Sequence, residues 1–299
     1  MSDEGLAEKG SRAAAQEIGN QRSAQKRSAS YRKAFEDTEF LNRDELRPVR
    51  LQLEMWKPDL IQREHGISST IVVFGSARVV ERPTAEIRLK ALEEKLLQNP
   101  ESQRLQRQVR AARRLLESSR YYEDARKLAH LISSDCQGPA GMCDFVIVTG
   151  GGPGIMEASN RGAYEAKAKS IGLNIVLPFE QEPNAYITPD LCFQFHYFAT
   201  RKMHFLLRAK ALVAFPGGYG TFDELFETLT LIQTKKIKPL PVLLYGRSYW
   251  ERAIDFEFLA DEGYISPEDT QLFRFVETPE ESWQAIRDFY DLDANQRQD

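Results

Sequence analysis

The sequence has few cysteines, no long apolar run and no excess of positive charge, and each shortage excludes a class of protein. Its three cysteines, Cys136, Cys143 and Cys192, form no CxxC pair, so we expect neither a disulfide scaffold nor a structural zinc site. No apolar run is long enough to cross a bilayer, and the N-terminus has no signal-peptide core. These features predict a cytoplasmic protein with no membrane partner.

Charge and histidine content narrow the function further. The net charge is -4 and the pI is about 5.8, so the chain lacks the overall basic field that captures nucleic acid. The four histidines, His65, His130, His196 and His204, show no metal-ligand spacing such as HExxH. We expect no nucleic-acid partner and no metal.

Composition divides the 299 residues into a tail and one large domain. Residues 1–45 are rich in Ala, Ser, Gln and charged side chains, so burial cannot offset their ordering entropy and a mobile tail is predicted. Residues 46–299 are predicted to form a single domain. Within it, residues 83–118 are almost all good helix formers around Asn99-Pro100, which predicts a helical-hairpin insertion, interpreted as a solvated projection or a contact between subunits.

Short apolar runs alternate with amphipathic stretches through the rest of the domain. This pattern is typical of a Rossmann-like, doubly wound parallel sheet of the α/β class, with strands buried on both faces. Ligands of such sheets bind beyond the carboxyl ends of the strands. The predicted strands are Ile71–Phe74, Phe145–Val148, Gly172–Leu177, Ala211–Phe215 and Pro241–Tyr245, and an aromatic strand is predicted over Phe193–Phe198. The predicted helices are 155–169, 201–210, 222–235 and 249–260, with Ser248 and Thr278 as expected helix caps.

A first glycine-rich loop, Gly150-Gly-Gly-Pro-Gly-Ile-Met156, follows a predicted strand and opens a helix. Glycines and free N–H groups at a helix start favour a bound phosphate. The loop completes neither the dinucleotide pattern GxGxxG nor the GK[ST] ending of a triphosphate P-loop. A monophosphate is therefore favoured over a dinucleotide or a triphosphate, and a glycine turn that binds nothing stays open as the alternative.

A second loop, Phe215-Pro-Gly-Gly-Tyr-Gly-Thr-Phe-Asp-Glu224, repeats the order of strand, glycines and helix. Thr221 and Glu224 fit a capping box, which would give the carboxylate a structural role only. A carboxylate beside a phosphate weakens anion binding, however, whereas cleavage of a ribosyl bond passes through an oxocarbenium-like state that a carboxylate stabilises. Glu224 is therefore a candidate catalytic residue.

Arg201 and Lys202 stand near the start of another predicted helix, where positive charge opposes the helix macrodipole. An anionic ligand or a facing carboxylate would explain the placement, and solvated side chains are the alternative.

These motifs resemble the Lonely Guy (LOG) family of nucleoside 5'-monophosphate phosphoribohydrolases, often mislabelled lysine decarboxylases. The resemblance runs from about Ile71 to Tyr245 and rests on Pro216-Gly-Gly-Tyr-Gly-Thr-Phe-Asp-Glu224, on Arg201-Lys202, on Phe74-Gly-Ser-Ala-Arg78 and on the first glycine loop. The long tail, the insertion and the extended C-terminal end are similar to the long bacterial branch of the family.

The resemblance implies a catalytic pair, Arg201 and Glu224, and no cofactor. The substrate-binding residues that it and the two loops imply are Gly75, Ser76, Gly151, Gly152, Gly154, Met156, Lys202, Gly217, Gly218, Tyr219, Gly220, Thr221 and Thr230. A further acidic contact of the family has no clean counterpart here, so Glu180 and Glu182 stay unassigned. Met156, Met203 and Phe215 are interpreted either as base-pocket residues or as core.

The implied activity is hydrolysis of AMP, or of an N6-modified cytokinin-type AMP, by a homodimer or larger homo-oligomer. A lysine decarboxylase would need a Schiff-base lysine, and the chain has no His-Lys dipeptide. Two other interpretations stay open. One is a non-catalytic nucleotide or cofactor carrier on the same fold. The other is an interaction protein that recruits a partner through its tail and hairpin.

Overall fold

The structure, a computed structural model, describes residues 16–136, 144–178 and 182–292. Two compact units divide at residues 54 and 55. In the first unit, residues 16–27 are helical and exposed throughout. Two 3-10 turns follow, at Ala29–Tyr31 and Ala34–Glu36, and then helix α1 (Thr38–Leu41) and a third 3-10 turn at Asp44–Leu46. The mobility expected for residues 1–45 stays a prediction. Cys143 and Glu180 lie outside the described residues.

The second unit is built on a parallel sheet. Its strands are β1 (Thr70–Phe74), β2 (Val146–Thr149), β3 (Ser170–Ile175), β4 (Cys192–Phe195), β5 (Ala209–Ala214), β6 (Val242–Tyr245) and β7 (Arg274–Val276). The strand order is β4-β3-β2-β1-β5-β6-β7, and each neighbouring pair is parallel. This confirms the doubly wound Rossmann-like sheet.

The strand order reverses between β1 and β5, which pair over Ile71–Phe74 and Ala211–Ala214. The loop after β1 and the loop after β5 therefore leave the sheet side by side and then diverge. Such a topological switch point opens a crevice at the carboxyl ends of the strands, where ligands of this fold bind.

The further helices of the described residues are α2 (Arg47–Glu64), α3 (Arg82–Gln98), α4 (Gln103–Ser118), α5 (Arg120–Cys136), α6 (Ile155–Glu165), α7 (Phe198–Leu206), α8 (Tyr219–Gln233), α9 (Arg247–Ala253), α10 (Phe256–Asp261) and α11 (Pro279–Phe289). Helices pack on both faces of the sheet, with α5, α6 and α11 on one face and α7, α8 and α9 on the other. No helix in the described residues has the length and apolar character needed to cross a membrane.

The alternation of side chains along β1 shows how the two faces are filled. Ile71 and Val73 pack with residues of α5, α6 and α11, whereas Val72 and Phe74 pack with residues of α7, α8 and α9. Every residue of β1 is buried, as expected for a central strand of a parallel sheet.

The predicted hairpin is confirmed as α3 and α4. Pro83 stands in the first turn of α3, and Ser102 begins α4 by accepting a hydrogen bond from the Leu105 N–H. Glu81, just before α3, pairs with Arg161 of α6, so an ion pair ties the base of the hairpin to the α/β unit.

Several predicted boundaries were wrong. The helix expected over 201–210 begins at Phe198 and ends at Leu206, because Ala209 and Lys210 enter β5. Residues 249–260 form two helices, and the first is preceded by Gly246 in a left-handed conformation rather than by a Ser248 cap. The Thr278 cap is confirmed, since its hydroxyl accepts from the Glu281 N–H. The short strand β7 was not predicted.

Gly154 marks the closest approach of two loops near the switch point. Its φ is +75°, and a Cβ there would lie 2.4 Å from the Ser76 carbonyl oxygen. Gly263 has nearly the same φ, +76°, but open space around its Cα. Alanine at Gly263 would therefore cost backbone strain alone, whereas alanine at Gly154 would cost the same strain plus steric overlap of its Cβ with the Ser76 backbone.

We expect Gly263→Ala to lower the free energy of unfolding by about 1–2 kcal/mol, the cost of a left-handed conformation for an L residue. Gly154→Ala should lower it by roughly twice that or more, because its overlap is with backbone that cannot rotate away. Chemical denaturation of both variants checks this. Equal losses would show that the two loops separate freely.

Candidate functional site

A cavity of about 730 Å³ opens at the switch point. Its wall is formed by the loop after β1, by the loop after β5 with the first turn of α8, by Arg201 and Phe198 of α7, and by Met156. The volume lies in the range of small-molecule sites. Of the expected site residues, the lining includes Gly75, Ser76, Met156, Arg201, Gly217, Gly218, Tyr219, Gly220, Thr221 and Glu224.

Glu224 is the buried acid of this cavity. Its side chain lies in the second turn of α8, and the residue is only 5% exposed. Burial raises the pKa of Glu224 to about 7, although the charges of Lys202 and Arg201 act to lower it. Glu224 lines the cavity, and no hydrogen bond from a described residue reaches its carboxylate.

Arg201 is held from three sides. Its Nε donates to the Leu173 carbonyl oxygen at 2.7 Å, its guanidinium lies 5.0 Å from the Phe205 ring centroid, and a Cβ at Gly150 would come within 2.7 Å of its Nη2. Burial lowers the pKa of Arg201, and the charge of Glu224 acts in the opposite direction. The sequence-based expectation of a carboxylate facing Arg201 agrees with this interaction.

Lys202 is paired with two acidic side chains of α8. Its Nζ lies 2.9 Å from an Asp223 oxygen and 3.1 Å from a Glu227 oxygen, and the residue is absent from the lining. Burial alone would lower the pKa of Lys202, but these hydrogen bonds outweigh it and the pKa is raised. Lys202 therefore balances the negative charge of Asp223 and Glu227 on α8 and does not line the cavity.

The start of α8 offers backbone donors to the cavity. Thr221 and Phe222 donate their N–H groups to the Gly218 carbonyl oxygen, whereas the N–H groups of Gly218, Tyr219 and Gly220 have no backbone acceptor among the described residues. Free N–H groups at a helix N-terminus bind anions.

The capping-box interpretation of Thr221 and Glu224 is wrong. Gly218 is the N-cap, so both residues lie inside α8. A Cβ at Gly217 would lie 2.1 Å from the Thr221 hydroxyl, and the Tyr249 hydroxyl donates to the Gly217 carbonyl oxygen at 2.5 Å. Gly217 thus lets the loop pack tightly between two side chains.

The first glycine loop contributes less than expected. Gly151, Gly152 and Gly154 are buried and do not line the cavity. The Gly151 N–H donates to the Thr149 hydroxyl at 3.0 Å, and the Asn184 side chain donates to the Gly151 and Gly152 carbonyl oxygens. The geometry favours a structural role for these glycines.

Other candidate residues lie elsewhere. Thr230 borders a shallow hollow along α8, and Glu182 is exposed and outside the lining. Phe215 is fully buried and stacks on Tyr245 at 4.3 Å between ring centroids, which makes it core, and Met203 is half exposed. The described residues contain no cluster of His, Cys, Asp or Glu that could hold a metal ion.

Eleven lining residues, including the following four, were not assigned to the site from the sequence. Arg78 follows the Gly-Ser turn, Tyr249 comes from α9, and Leu115 and Ser118 come from α4. The hairpin, interpreted as a projection, therefore also forms part of the cavity wall. Of these four, Arg78 alone stood in a quoted motif, and the other three come into contact with the site through tertiary packing.

Comparison with known proteins bears on the family. A family model described as "Possible lysine decarboxylase" matches residues 156–286. A probable cytokinin riboside 5'-monophosphate phosphoribohydrolase of Oryza sativa subsp. japonica is 26% identical over 153 residues, 48% of this chain and 68% of that protein. The resemblance to the LOG family is confirmed.

Matches to two Arabidopsis thaliana proteins of the LOG type are shorter. The cytokinin riboside 5'-monophosphate phosphoribohydrolase LOG7 is 38% identical over 22% of this chain, and LOG3 is 32% identical over 30%. The LOG-like chain spans 31% and 42% of their lengths.

Among solved structures, the molybdenum cofactor carrier protein of Chlamydomonas reinhardtii is 18% identical with a TM-score of 0.44, over 75% of this chain and 99% of that one. The molybdenum cofactor binding protein of Rippkaea orientalis is 20% identical with a TM-score of 0.41, over 57% and 88%.

The raised pKa of Glu224 makes stability depend on pH. Its pKa of about 7 lies above the ordinary value of 4.5, so between these values the folded state binds more protons than the unfolded state. Stability therefore falls as pH rises from about 4.5 to 7, by up to about 3 kcal/mol, and levels off above. Wild type should be less stable at pH 8 than at pH 5. In Glu224→Gln this loss of stability between pH 5 and pH 8 should be smaller, because the amide does not ionise.

Denaturant unfolding at the two pH values checks this, with Glu262→Gln, an exposed glutamate, as control. A pH dependence that Glu224→Gln leaves unchanged would contradict the assignment.

Proposed function

We propose that this protein hydrolyses the N-glycosidic bond of a purine nucleoside 5'-monophosphate, releasing the free base and ribose 5-phosphate. The proposal is carried by the buried Glu224 carboxylate, which lines a nucleotide-sized cavity and receives no hydrogen bond from the described residues. The names of the matched plant proteins, cytokinin riboside 5'-monophosphate phosphoribohydrolases, support the same chemistry.

In this proposal the 5'-phosphate binds the free N–H groups of Gly218, Tyr219 and Gly220 at the start of α8. The Glu224 side chain lies one helical turn further on, so the ribose of a nucleotide anchored there reaches the carboxylate. Phosphate binding thereby orients the anomeric carbon toward Glu224. The free energy of phosphate binding offsets the entropy cost of holding the ribose in the reactive geometry.

The reaction needs charge stabilisation and one proton transfer. As the bond from the anomeric carbon to the base nitrogen breaks, positive charge develops on the ribose and the ionised Glu224 stabilises it. A water molecule attacks the anomeric carbon and loses a proton to Glu224, and Glu224 passes that proton to the departing base, which leaves the carboxylate ionised again. A pKa near 7 suits a group that accepts and returns a proton at neutral pH.

Arg201 acts on Glu224 through its charge. The guanidinium favours the ionised carboxylate, and its hydrogen bond to Leu173 and the contact with Phe205 fix it in place. We therefore assign Arg201 to holding Glu224 ionised and to orienting the nucleotide. AMP is the proposed substrate, and N6-modified AMP is the other form we propose to test.

Decarboxylation of lysine is not supported by the cavity. That reaction would use a lysine as Schiff-base partner, and no lysine lines the cavity in the part of the chain that the structure describes. Lys202, the lysine nearest in sequence to Arg201, is paired with Asp223 and Glu227.

Base release by purified protein tests the proposal. Wild type should release base from AMP but not from adenosine, and Glu224→Gln should lower kcat by at least ~10³-fold, as expected for a group that stabilises transition-state charge. Asp223→Asn, which removes a more exposed acid of the same cavity, should cost less than about tenfold. GMP, CMP and N6-isopentenyl AMP define the base preference. Nucleotide binding without base release would favour the carrier interpretation.

The pH profile provides an independent test. Because the carboxylate is the active form, kcat/KM for AMP should rise with pH through the Glu224 pKa of about 7 and then level off. In Glu224→Gln this rise should disappear from the residual rate. A profile that falls over the same range would mean that the protonated acid is the active form.

A further inference from the structure

We propose that Arg78 is a further phosphate-binding residue of this cavity and that its guanidinium pairs with the 5'-phosphate held at the start of α8. The inference rests on the proposed function for the identity of the ligand as a phosphate monoester. It concerns a residue to which neither the family motifs nor the catalytic pair assigns a role.

The negative charges of the phosphate and of the acidic lining residues must be balanced in this cavity. A phosphate monoester carries about 1.5 to 2 negative charges at pH 7, and Asp223 and Glu224 also border the space. Backbone N–H groups supply only partial positive charge. A phosphate in this position therefore needs a cationic side chain with free donors.

The other nearby cations are already engaged. Arg201 is partly buried, directs its Nε to Leu173 and interacts with the Glu224 carboxylate, and Lys202 is bound by two carboxylates. The Arg78 side chain is exposed and lines the cavity. Within residues 16–136, 144–178 and 182–292 its guanidinium takes part in no hydrogen bond or ion pair.

Backbone hydrogen bonds fix Arg78 close to the loop that leads into α8. The Arg78 N–H donates to the Ser76 hydroxyl at 3.1 Å, and the Ser76 N–H donates to the Pro216 carbonyl oxygen at 3.0 Å. The loop after β1 is thus hydrogen-bonded to the loop that leads into α8. A fixed backbone with a free planar fork suits bidentate binding of a phosphate.

Arg78 also borders a second, smaller cavity of about 210 Å³ between α3 and α4, together with Arg88, Leu92 and Leu115. A purely structural role would use the aliphatic stem of Arg78 to close that space. Methionine keeps most of the stem and removes the charge, so Arg78→Met separates the two roles. Arg88 borders the smaller cavity but not the larger one, which makes Arg88→Met the matched control.

The experiment is calorimetric binding of AMP, ribose 5-phosphate and adenosine to wild type, Arg78→Met, Arg78→Lys and Arg88→Met at one fixed ionic strength. Arg78→Met should weaken AMP and ribose 5-phosphate roughly 10- to 100-fold, the loss of charge-assisted hydrogen bonds. Adenosine should change less than about twofold, Arg78→Lys should fall between, and Arg88→Met should match wild type. Equal weakening of AMP and adenosine, or no weakening of AMP, would overturn the inference.

Base release measured on the same proteins separates this inference from the proposed function. If wild type shows Arg78-dependent AMP binding but releases no base, Arg78 binds phosphate and the proposed hydrolysis is wrong. If Arg78→Met hydrolyses AMP with unchanged KM, the hydrolysis stands and the role of Arg78 is wrong. A raised KM with kcat nearly unchanged supports both, since it marks a group that binds ground state and transition state equally.

Discussion

The burial of one carboxyl group, Glu224, is the constraint on which the site depends. An ionised carboxylate out of water is costly unless nearby charge compensates it. Here burial outweighs the neighbouring charges of Lys202 and Arg201, and the pKa of Glu224 stands at about 7. Because no described residue donates a hydrogen bond to its oxygens, the remaining compensation must come from a ligand. A ligand that develops positive charge next to Glu224 is stabilised by the charge of this carboxylate.

The doubly wound sheet delivers this arrangement through its topology. The order β4-β3-β2-β1-β5-β6-β7 places the loop after β1 beside the loop after β5. The second loop continues into α8 with three N–H groups that have no backbone acceptor among the described residues. Side chains from α7 and α9 complete the wall, and α4 adds Leu115 and Ser118. The hairpin is thus tied to the site in two ways, through these side chains and through the ion pair of Glu81 with Arg161.

The sequence predicted the fold better than it predicted the site. Long apolar runs such as that of β1 identify buried strands, whereas β7 has three residues with one of them buried and no comparable pattern. A glycine motif alone does not distinguish a binding loop from a tight turn. Gly151 and Gly154 are needed for the backbone, since each has a φ of +75° and close neighbours, whereas Gly218 has open space around its Cα. The pairing of Arg201 with Glu224 was implied by family resemblance. Tyr249 and Leu115 reach the cavity only through tertiary packing, which local patterns do not encode.

The crystal structure of the Glu224→Gln variant with AMP bound tests the central claim most directly. The account predicts the phosphate on the N–H groups of Gly218, Tyr219 and Gly220, with the anomeric carbon facing residue 224 and space for a water molecule between them. A nucleotide bound with its base against residue 224, or bound outside the cavity, would contradict the account.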